Sequence, residues 1–330
     1  MVVAIELPRK ERQVVLTSEF FPISIGSLKE DLITGFDLYL PAHEGSNPVL
    51  YREKNLPFES KDHARLSEGN IVELLVKTTD KKAWVSYAAG VLPDYLADTS
   101  KPVDERAGVL YESATGLVEE LLASPDSADL VSQSRNMAGG MVDFLAKETS
   151  SFYELMQLTS HDYYTYTHSV NVFVYSVSLA KKLGKDGPEL DEFAHGALMH
   201  DIGKRMIDND IINAPGGLSE AQWQQMQSHP VHGYEILLKQ GETSKIALDV
   251  TRHHHEKMNG RGYPDGLKGE DISDWVRIST IADIFDALTT QRSYKDAMDT
   301  FVALRFMQDK MGDELDPNFF REFVSLMAGR

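Results

Sequence analysis

Hydrophobic and polar residues alternate in short segments from Arg12 to about Asp98. Polar stretches (EGSN, FESKD and TTDKK) interrupt the alternation, which is carried by the segments RQVVLTS, FDLYLPA, PVLYREK, IVELLVK and AWVSYAA. Such alternation is typical of half-buried strands joined by turns. It predicts a small β-rich domain over residues 1–102. This domain offers no His and carboxylate cluster, so packing, dimerisation and regulation stay open as its role.

The hydrophobic period changes near residue 102. The segment SKPVDER supplies a proline and an acidic helix start, and Val109, Leu110 and Leu117 then follow at helical spacing. Almost every later segment keeps this period. The sequence therefore predicts an all-α domain over residues 103–330 and an α+β protein overall.

Two predicted helices carry polar residues next to an apolar face. One runs from His168 to Leu183 and stops at Gly184. The other runs from Leu190 to Lys204 and includes the pair His200-Asp201. Both helices are expected to turn their histidines towards the interior.

Composition narrows the chemistry. A formal net charge of −18 over 330 residues argues against binding to long nucleic acid, although a small phosphate ligand could bind beside metal ions. The chain has no cysteine, so a metal would be held by His, Asp and Glu. The N-terminal segment carries Glu6 and lacks a long apolar run, which predicts no export signal, no membrane insertion and a cytoplasmic location by default.

Most of the 11 histidines lie between His161 and His255. His200 and Asp201 are adjacent, and successive helical residues differ by about 100° in direction, so both could reach one metal centre with the carboxylate bridging two ions. Asp283 lies in the apolar helix IADIFDAL, where an unpaired carboxylate would be costly. The residues favour a dinuclear site suited to phosphodiester hydrolysis.

The chain resembles the HD-GYP subgroup of the HD superfamily from about His161 to the C-terminus. The resemblance is carried, in order, by HSVNV, HDIGK, HP, HHEKMNGRGYPDG, RISTIADIFDALTTQRSYK and LDPNFF. It implies a cyclic di-GMP phosphodiesterase with an HD-type helical bundle. The products would be linear pGpG, with further cleavage to GMP left open.

The resemblance also implies a role for each matching residue. Asp201 would bridge the metals, a bridging hydroxide would attack phosphorus, and His253 would lie outside the site. Lys204 would contact the scissile phosphate or the bridging hydroxide and stabilise negative charge, Arg292 and Lys295 would hold the phosphates of the cyclic dinucleotide, and Asp286 would support the site. Gly262, Tyr263 and Pro264 would form a structural loop that could also contact protein partners. The implied metal ligands are His168, His200, Asp201, His229, His254, His255 and Asp283.

One position departs from the family pattern. Some members have a glutamate four residues before the first histidine that helps to hold a third metal, and this chain has Tyr164 there. The expectation is therefore two divalent ions, with Asp162 or a water as a complication. Iron and manganese are favoured by the resemblance, and zinc, nickel and cobalt also suit the ligand types.

Three other functions stay open from sequence. The chain could act on another cyclic dinucleotide such as cyclic GMP-AMP, or it could be a catalytically weak receptor for cyclic di-GMP. A metal-free structural helical protein is disfavoured, since its core would have to tolerate many buried polar residues. A homodimer and the signal sensed by the N-terminal domain are not determined by the sequence.

Overall fold

The computed structural model describes residues 19–41, 47–124, 127–147, 150–159, 165–214, 216–291 and 297–329. The chain divides into two compact units, Met1–Leu92 and Pro93–Arg330. The division falls inside the helix Lys81–Ala97, whereas the predicted boundary lies further along the chain, after residue 102.

The N-terminal unit is built on a small antiparallel sheet. Its strands are β1 (Phe20–Ser24), β2 (Leu32–Ile33), β3 (Leu38–Leu40), β4 (Val49–Arg52), β5 (Pro57–Phe58) and β6 (Glu73–Lys77). Within the described residues the larger sheet has the order β1-β6-β3-β4, and β2 pairs with β5. Helices α1 (Ser60–Glu68) and α2 (Lys81–Ala97) complete the elements that begin in this unit.

Two local predictions for this unit are wrong. The segment AWVSYAA, predicted as a strand, lies in α2, because burial follows a helical spacing at Trp84, Val85, Ala88 and Val91 and not a two-residue alternation. FESKD, predicted as a break, contains the start of α1, which Glu59 and Asp62 stabilise by a capping box. The predicted strand RQVVLTS lies outside the described residues.

The regular elements of the second unit are helices within its described residues, and the predicted α+β class is confirmed. Its first helices are α3 (Val103–Ala123), α4 (Ala128–Lys147), α5 (Ser151–Leu158), α6 (Thr165–Lys182) and α7 (Pro188–Met199). They are followed by α8 (Asn209–Ile212), α9 (Glu220–Met226), α10 (His229–Lys239), α11 (Lys245–His253), α12 (Asp274–Thr289), α13 (Thr300–Met311) and α14 (Pro317–Met327).

Helix α6 lies at the centre of this unit. It packs against α3, α7 and α12, and every residue from Thr167 to Ala180 is buried. A helix that is buried all round needs partners for its polar side chains as well as its apolar ones. The polar residues of α6 therefore face other helices, and this arrangement places His168 inside the bundle.

Candidate metal centre

His168, near the start of α6, is buried with 1% of its surface exposed. Its Nδ1 lies 2.6 Å from Oδ2 of Asp286 on α12. Its Nε2 lies 3.1 Å from Oδ1 of Asp283 and 3.3 Å from Nε2 of His200. Helices α6 and α12 thus bring an imidazole and a carboxylate to one point.

His200 and Asp201 lie at the junction after α7. The helix ends at Met199, and a 3-10 turn covers 202–206, so the predicted continuous helix to Lys204 is wrong. His200 Nδ1 hydrogen-bonds the carbonyl oxygen of Ala197 at 2.8 Å. The change of backbone conformation lets both side chains of the pair point into the same buried site.

Gly203 permits the close packing of this turn on α10. A Cβ atom at position 203 would clash with the carbonyl oxygen of His229 and with the backbone nitrogen of Gly233. Only a residue without a side chain fits at this separation. Gly203 therefore sets how near Asp201 comes to His229.

A second group of imidazoles faces the first. His229 is the first residue of α10, and His254 and His255 follow the end of α11. The Nε2 atoms of His229 and His254 lie 3.2 Å apart. His255 Nδ1 lies 3.4 Å from Oδ2 of Asp283, whose Oδ1 faces His168.

The hydrogen bonds of the imidazoles define their tautomers. A backbone carbonyl can only accept, so an Nδ1 atom facing one must carry the proton, which leaves Nε2 with a lone pair. The same tautomer follows where Nδ1 donates to an ionised carboxylate. The Nδ1 partners are Asp286 Oδ2 for His168, Ala197 O for His200, Met226 O for His229 and Thr251 O for His254.

These lone pairs face one another and the carboxylate of Asp201, an arrangement that repels unless a cation lies between them. Asp201 Oδ1 is buried and accepts no hydrogen bond within the described segments. Ligand atoms of His168, His200 and Asp283 lie within 4.8 Å of one another, as do those of His229, His254 and His255. The donor set fits divalent metal ions.

Each oxygen of Asp201 faces a different group. Oδ1 lies 3.2 Å from His229 Nε2 and 3.8 Å from His254 Nε2. Oδ2 lies 3.4 Å from His168 Nε2 and 3.5 Å from His200 Nε2. A carboxylate placed in this way can bridge two ions.

Electrostatics keep these groups in the forms that bind metal. Burial lowers the pKa of His255 to about 3, and it also lowers that of His254 well below the usual range. Burial alone would raise the pKa of Asp201, but Lys204 and His200 hold it well below the ordinary value. The imidazoles of His254 and His255 are therefore neutral and the carboxylate of Asp201 is ionised at neutral pH, as metal ligation requires.

Lys204 is the cation nearest to this carboxylate among the described residues. Its Nζ lies 2.5 Å from Asp201 Oδ2, and its side chain is 12% exposed. It lies in the 3-10 turn that follows Asp201. An ammonium here can reach a ligand that sits on the Asp201 side of the cluster.

The support of His168 extends through residues that sequence reasoning did not single out. Asp286, which holds His168, also accepts hydrogen bonds from Asn171 Nδ2 at 2.8 Å and Thr290 Oγ1 at 3.2 Å. The Tyr111 hydroxyl on α3 donates to Asn171 Oδ1 at 2.8 Å. The sequence signal for this support is the polar Asn171 in an otherwise apolar segment. Its partners could not be predicted, because they lie on other helices.

An HD domain matches residues 141–319. The cyclic di-GMP phosphodiesterase PA4108 of Pseudomonas aeruginosa is 32% identical over 295 residues, which cover 82% of this chain and 71% of that protein. The chain belongs to the HD domain family. Its HDIGK and GYP motifs place it in the HD-GYP subgroup, as the sequence predicted, and make it an enzyme of the phosphohydrolase class.

One further relative and one solved structure are similar to this HD-GYP protein. The 3'3'-cGAMP-specific phosphodiesterase 3 of Vibrio cholerae is 40% identical over 157 residues, covering 48% of this chain but only 34% of that protein. Bd1817, an HDG"Y"P protein from Bdellovibrio bacteriovorus, shares the fold with a TM-score of 0.66 at 19% identity, covering 94% of this chain and 100% of that one. The PA4108 and Bd1817 matches both extend into the N-terminal unit, since they cover more of the chain than Pro93–Arg330 represents.

The described helices include none that is both long enough and apolar enough to cross a membrane.

The loop that carries the GYP motif is held by a buried carboxylate. Glu256 accepts hydrogen bonds from the backbone nitrogens of Asp265, Gly266 and Leu267 at 2.7, 2.9 and 3.0 Å. A Cβ atom at Gly262 would lie 2.5 Å from the Cα of Glu256. The loop is thus folded tightly onto the segment that carries His254 and His255.

Tyr263 and His253 make different contacts near this segment. The Tyr263 ring lies 4.8 Å from that of His255 at 34°, and a contact of the GYP loop with protein partners stays a prediction. His253 instead places Nδ1 2.7 Å from Asp249 Oδ1 and Nε2 2.9 Å from Asp265 Oδ2. Burial alone would lower the pKa of His253, but the two carboxylates raise it, and both of its ring nitrogens already contact those carboxylates.

Four residues named from the sequence lie outside the described residues: Asp162, Tyr164, Arg292 and Lys295. The predictions attached to them, on the third metal and on the phosphates, stay predictions.

Proposed function

We propose that this HD-GYP protein hydrolyses cyclic di-GMP to linear pGpG, with further cleavage to GMP left open. The observation that carries the proposal is the pair of imidazole groups whose Nε2 lone pairs converge on the two oxygens of Asp201. The identity to PA4108, which is named a cyclic di-GMP phosphodiesterase, supports the choice of substrate.

Two divalent ions, iron or manganese, would complete the site. Bound ions of this kind lower the pKa of a coordinated water and neutralise charge on a phosphoryl group. Asp201 would bridge them, and Lys204 would stabilise negative charge that develops on the phosphorus oxygens. The proposed ligands are His168, His200, Asp201, His229, His254, His255 and Asp283.

The residues around the ligands would hold them for this chemistry. Asp286 keeps His168 in the tautomer with a free Nε2, and backbone carbonyls do the same for His200 and His229. Ligands oriented in advance need little reorganisation when substrate binds. In the proposed reaction a water hydroxyl adds to phosphorus while the P–O3' bond breaks, and the leaving O3' takes a proton.

Asp201→Ala tests this function directly. The variant and the parent protein are loaded with Fe(II) or Mn(II) without oxygen, and pGpG formation is followed by chromatography. Asp143→Ala, on an exposed residue of α4 that pairs with Lys147, is the control. We expect loss of hydrolysis in Asp201→Ala and full activity in the control; undiminished hydrolysis by Asp201→Ala would refute the proposal.

Metal content tests the number of ions. Purified, reconstituted protein is expected to hold two tightly bound ions per chain. Three ions per chain, measured by plasma mass spectrometry on protein of known concentration, would overturn the two-metal proposal. Chelation is expected to abolish hydrolysis, and added Fe(II) or Mn(II) should restore it.

A second substrate class has support from the relatives. The Vibrio cholerae enzyme at 40% identity is named as specific for 3'3'-cGAMP. Parallel measurement of kcat/KM for cyclic di-GMP, 3'3'-cGAMP and cyclic di-AMP separates the two possibilities. We expect the highest value for cyclic di-GMP.

A further inference from the structure

A pocket of about 430 Å³ adjoins the metal centre. His255 and Asp283 form its inner side, and α9, α12, α13 and the GYP loop contribute the rest, including Trp223, Tyr263, Phe306 and Lys257. Its size falls in the range of about 300–1,000 Å³ that small-molecule sites occupy. A ligand bound at the metals through a phosphate would therefore extend an adjacent group into this pocket.

Aromatic rings line the pocket. Trp223 on α9 is 47% exposed although it is a large apolar side chain, and its ring lies 6.2 Å from that of Tyr263 at 81°. The Tyr263 ring in turn stacks near His255. Exposed aromatic side chains at the rim of a pocket offer faces on which a planar base can stack.

An ion pair supplies the polar group of the pocket. Lys257 Nζ lies 2.7 Å from Glu314 Oε2, and both side chains are less than one-third exposed. The backbone nitrogen of Met258 donates to the carbonyl oxygen of Glu314 at 2.9 Å, which fixes the two segments together. Lysine has three N–H donors, so the pair with Glu314 leaves capacity to donate to a ligand.

The ion pair with Glu314 also favours a nucleobase over a phosphate group as the ligand of Lys257. Glu314 neutralises the ammonium, so this wall carries a directed donor without a net positive charge. Among the described residues, the cation paired with the metal-binding carboxylate is Lys204, which is not among the residues that line the pocket. Guanine presents two acceptors, O6 and N7, to a lysine, whereas adenine replaces one of them with an N–H donor.

We propose that this pocket is a guanine subsite in which Trp223 stacks on the base and Lys257 donates to O6 and N7. The proposal rests on the proposed hydrolysis of a cyclic dinucleotide and specifies which base lies next to the scissile phosphate. It predicts that a mixed dinucleotide binds in one orientation, with its guanine in the pocket. Hydrolysis of 3'3'-cGAMP then gives one linear isomer instead of both pApG and pGpA.

Lys257→Met tests the base-reading role. A good base contact is worth about 1–3 kcal/mol of discrimination, so the ratio of kcat/KM for cyclic di-GMP over cyclic di-AMP should fall at least roughly fivefold. The two isomers from 3'3'-cGAMP should both appear. Lys257→Arg should keep the selectivity, and Lys147→Met, an exposed residue of α4, is the matched control. An unchanged ratio in a Lys257→Met protein that keeps the parent's circular dichroism spectrum would overturn the proposal. If Lys257→Met does not fold, the affinities of the parent protein for GMP and AMP decide instead, and equal affinities would overturn it.

Trp223→Ala tests the stacking role. Because stacking is worth about 1–3 kcal/mol per base, KM should rise at least roughly fivefold while kcat changes little. Trp223→Phe should recover most of the affinity. Equal KM values for the parent protein and Trp223→Ala would argue against a base in this pocket.

Binding of mononucleotides separates this proposal from the proposed function. Calorimetry with GMP and AMP is expected to show tighter binding of GMP, and Lys257→Met should bring the two affinities together. If the loaded protein hydrolyses no cyclic dinucleotide, the proposed function fails whatever the binding shows. If it hydrolyses cyclic di-GMP but binds GMP and AMP equally, only the guanine subsite is refuted.

Discussion

Asn171 donates a hydrogen bond from its side-chain amide to Oδ1 of Asp286 at 2.8 Å. Oδ2 of the same carboxylate contacts the imidazole of His168, which lies one helical turn before Asn171. Asn171 and Asp286 are buried, with exposures of 0% and 1%. The contact links α6 to α12 beneath His168. It also connects the proposed metal centre to Tyr111 on α3, a helix that precedes the segment matched by the HD domain.

Asn171→Leu is expected to weaken metal binding. The substitution leaves Asp286 Oδ1 without this donor and lets the carboxylate turn away from His168. Loss of such supporting contacts reduces metal affinity about 10- to 100-fold. Competition with a chromophoric chelator measures the change. Tyr111→Phe should have a smaller effect in the same direction, and equal affinity in Asn171→Leu and the parent would show that the contact does not position His168.

Gly203→Ala is expected to disrupt the turn that carries Asp201. A new methyl group would collide with backbone atoms of α10, which cannot move independently of His229. Such overpacking typically costs about 1–3 kcal/mol of stability. Metal content per chain should fall, and the urea midpoint should decrease. Gly139→Ala in α4 is the matched control, because its Cβ meets nothing within 4 Å, and it should be neutral or slightly stabilising.

Glu242→Gln is expected to destabilise the metal-free protein above about pH 5. Burial alone would raise the pKa of Glu242, but hydrogen bonds from His195 and the backbone of Ser244, with Arg135 nearby, lower it to about 2. A carboxyl whose folded pKa is depressed stabilises the fold above its unfolded pKa, and this contribution is lost as pH falls. For Glu242, the contribution to the free energy of unfolding is on the order of 3 kcal/mol, and it is lost as the pH falls from about 4.5 to about 2.

Urea unfolding of the parent and Glu242→Gln at several pH values measures this effect. The difference between them should be largest near pH 7 and should shrink as pH approaches 2, where the parent carboxyl becomes protonated. Glu235→Gln, with a side chain 66% exposed, is the control and should show little difference at any pH. A gap that stays constant with pH would contradict the prediction.

Glu256→Gln is expected to loosen the GYP loop. The carboxylate accepts three backbone N–H groups, and an amide offers one oxygen together with an NH₂ group that cannot accept. Hydrogen bonds to charged groups contribute about 1.5–3 kcal/mol each. Amide hydrogen exchange at Asp265, Gly266 and Leu267 should accelerate. Glu270→Gln, at a side chain 95% exposed, should leave exchange at those amides unchanged; the same protection in Glu256→Gln would contradict the role of Glu256.

The helical half of the fold was predictable because its signals are local. The start of α3 after Pro102 and the stop of α6 near Gly184 each depend on a few neighbouring residues. The segment AWVSYAA was predicted wrongly because short apolar runs fit both periods until a partner surface selects one. The end of α7 was missed for a related reason, since the 3-10 turn depends on the contact of Gly203 with α10.

The sequence by itself determined the family, the α+β class and the residue types that could hold a metal. These follow from motifs whose order and spacing are readable along the chain. Only the tertiary structure decided that each oxygen of Asp201 faces a different imidazole group, that Asn171 and Tyr111 support His168, and that Lys257 shares a pocket with Trp223. The physical reason is distance in the chain: these contacts join different helices, so their geometry depends on how the whole bundle packs.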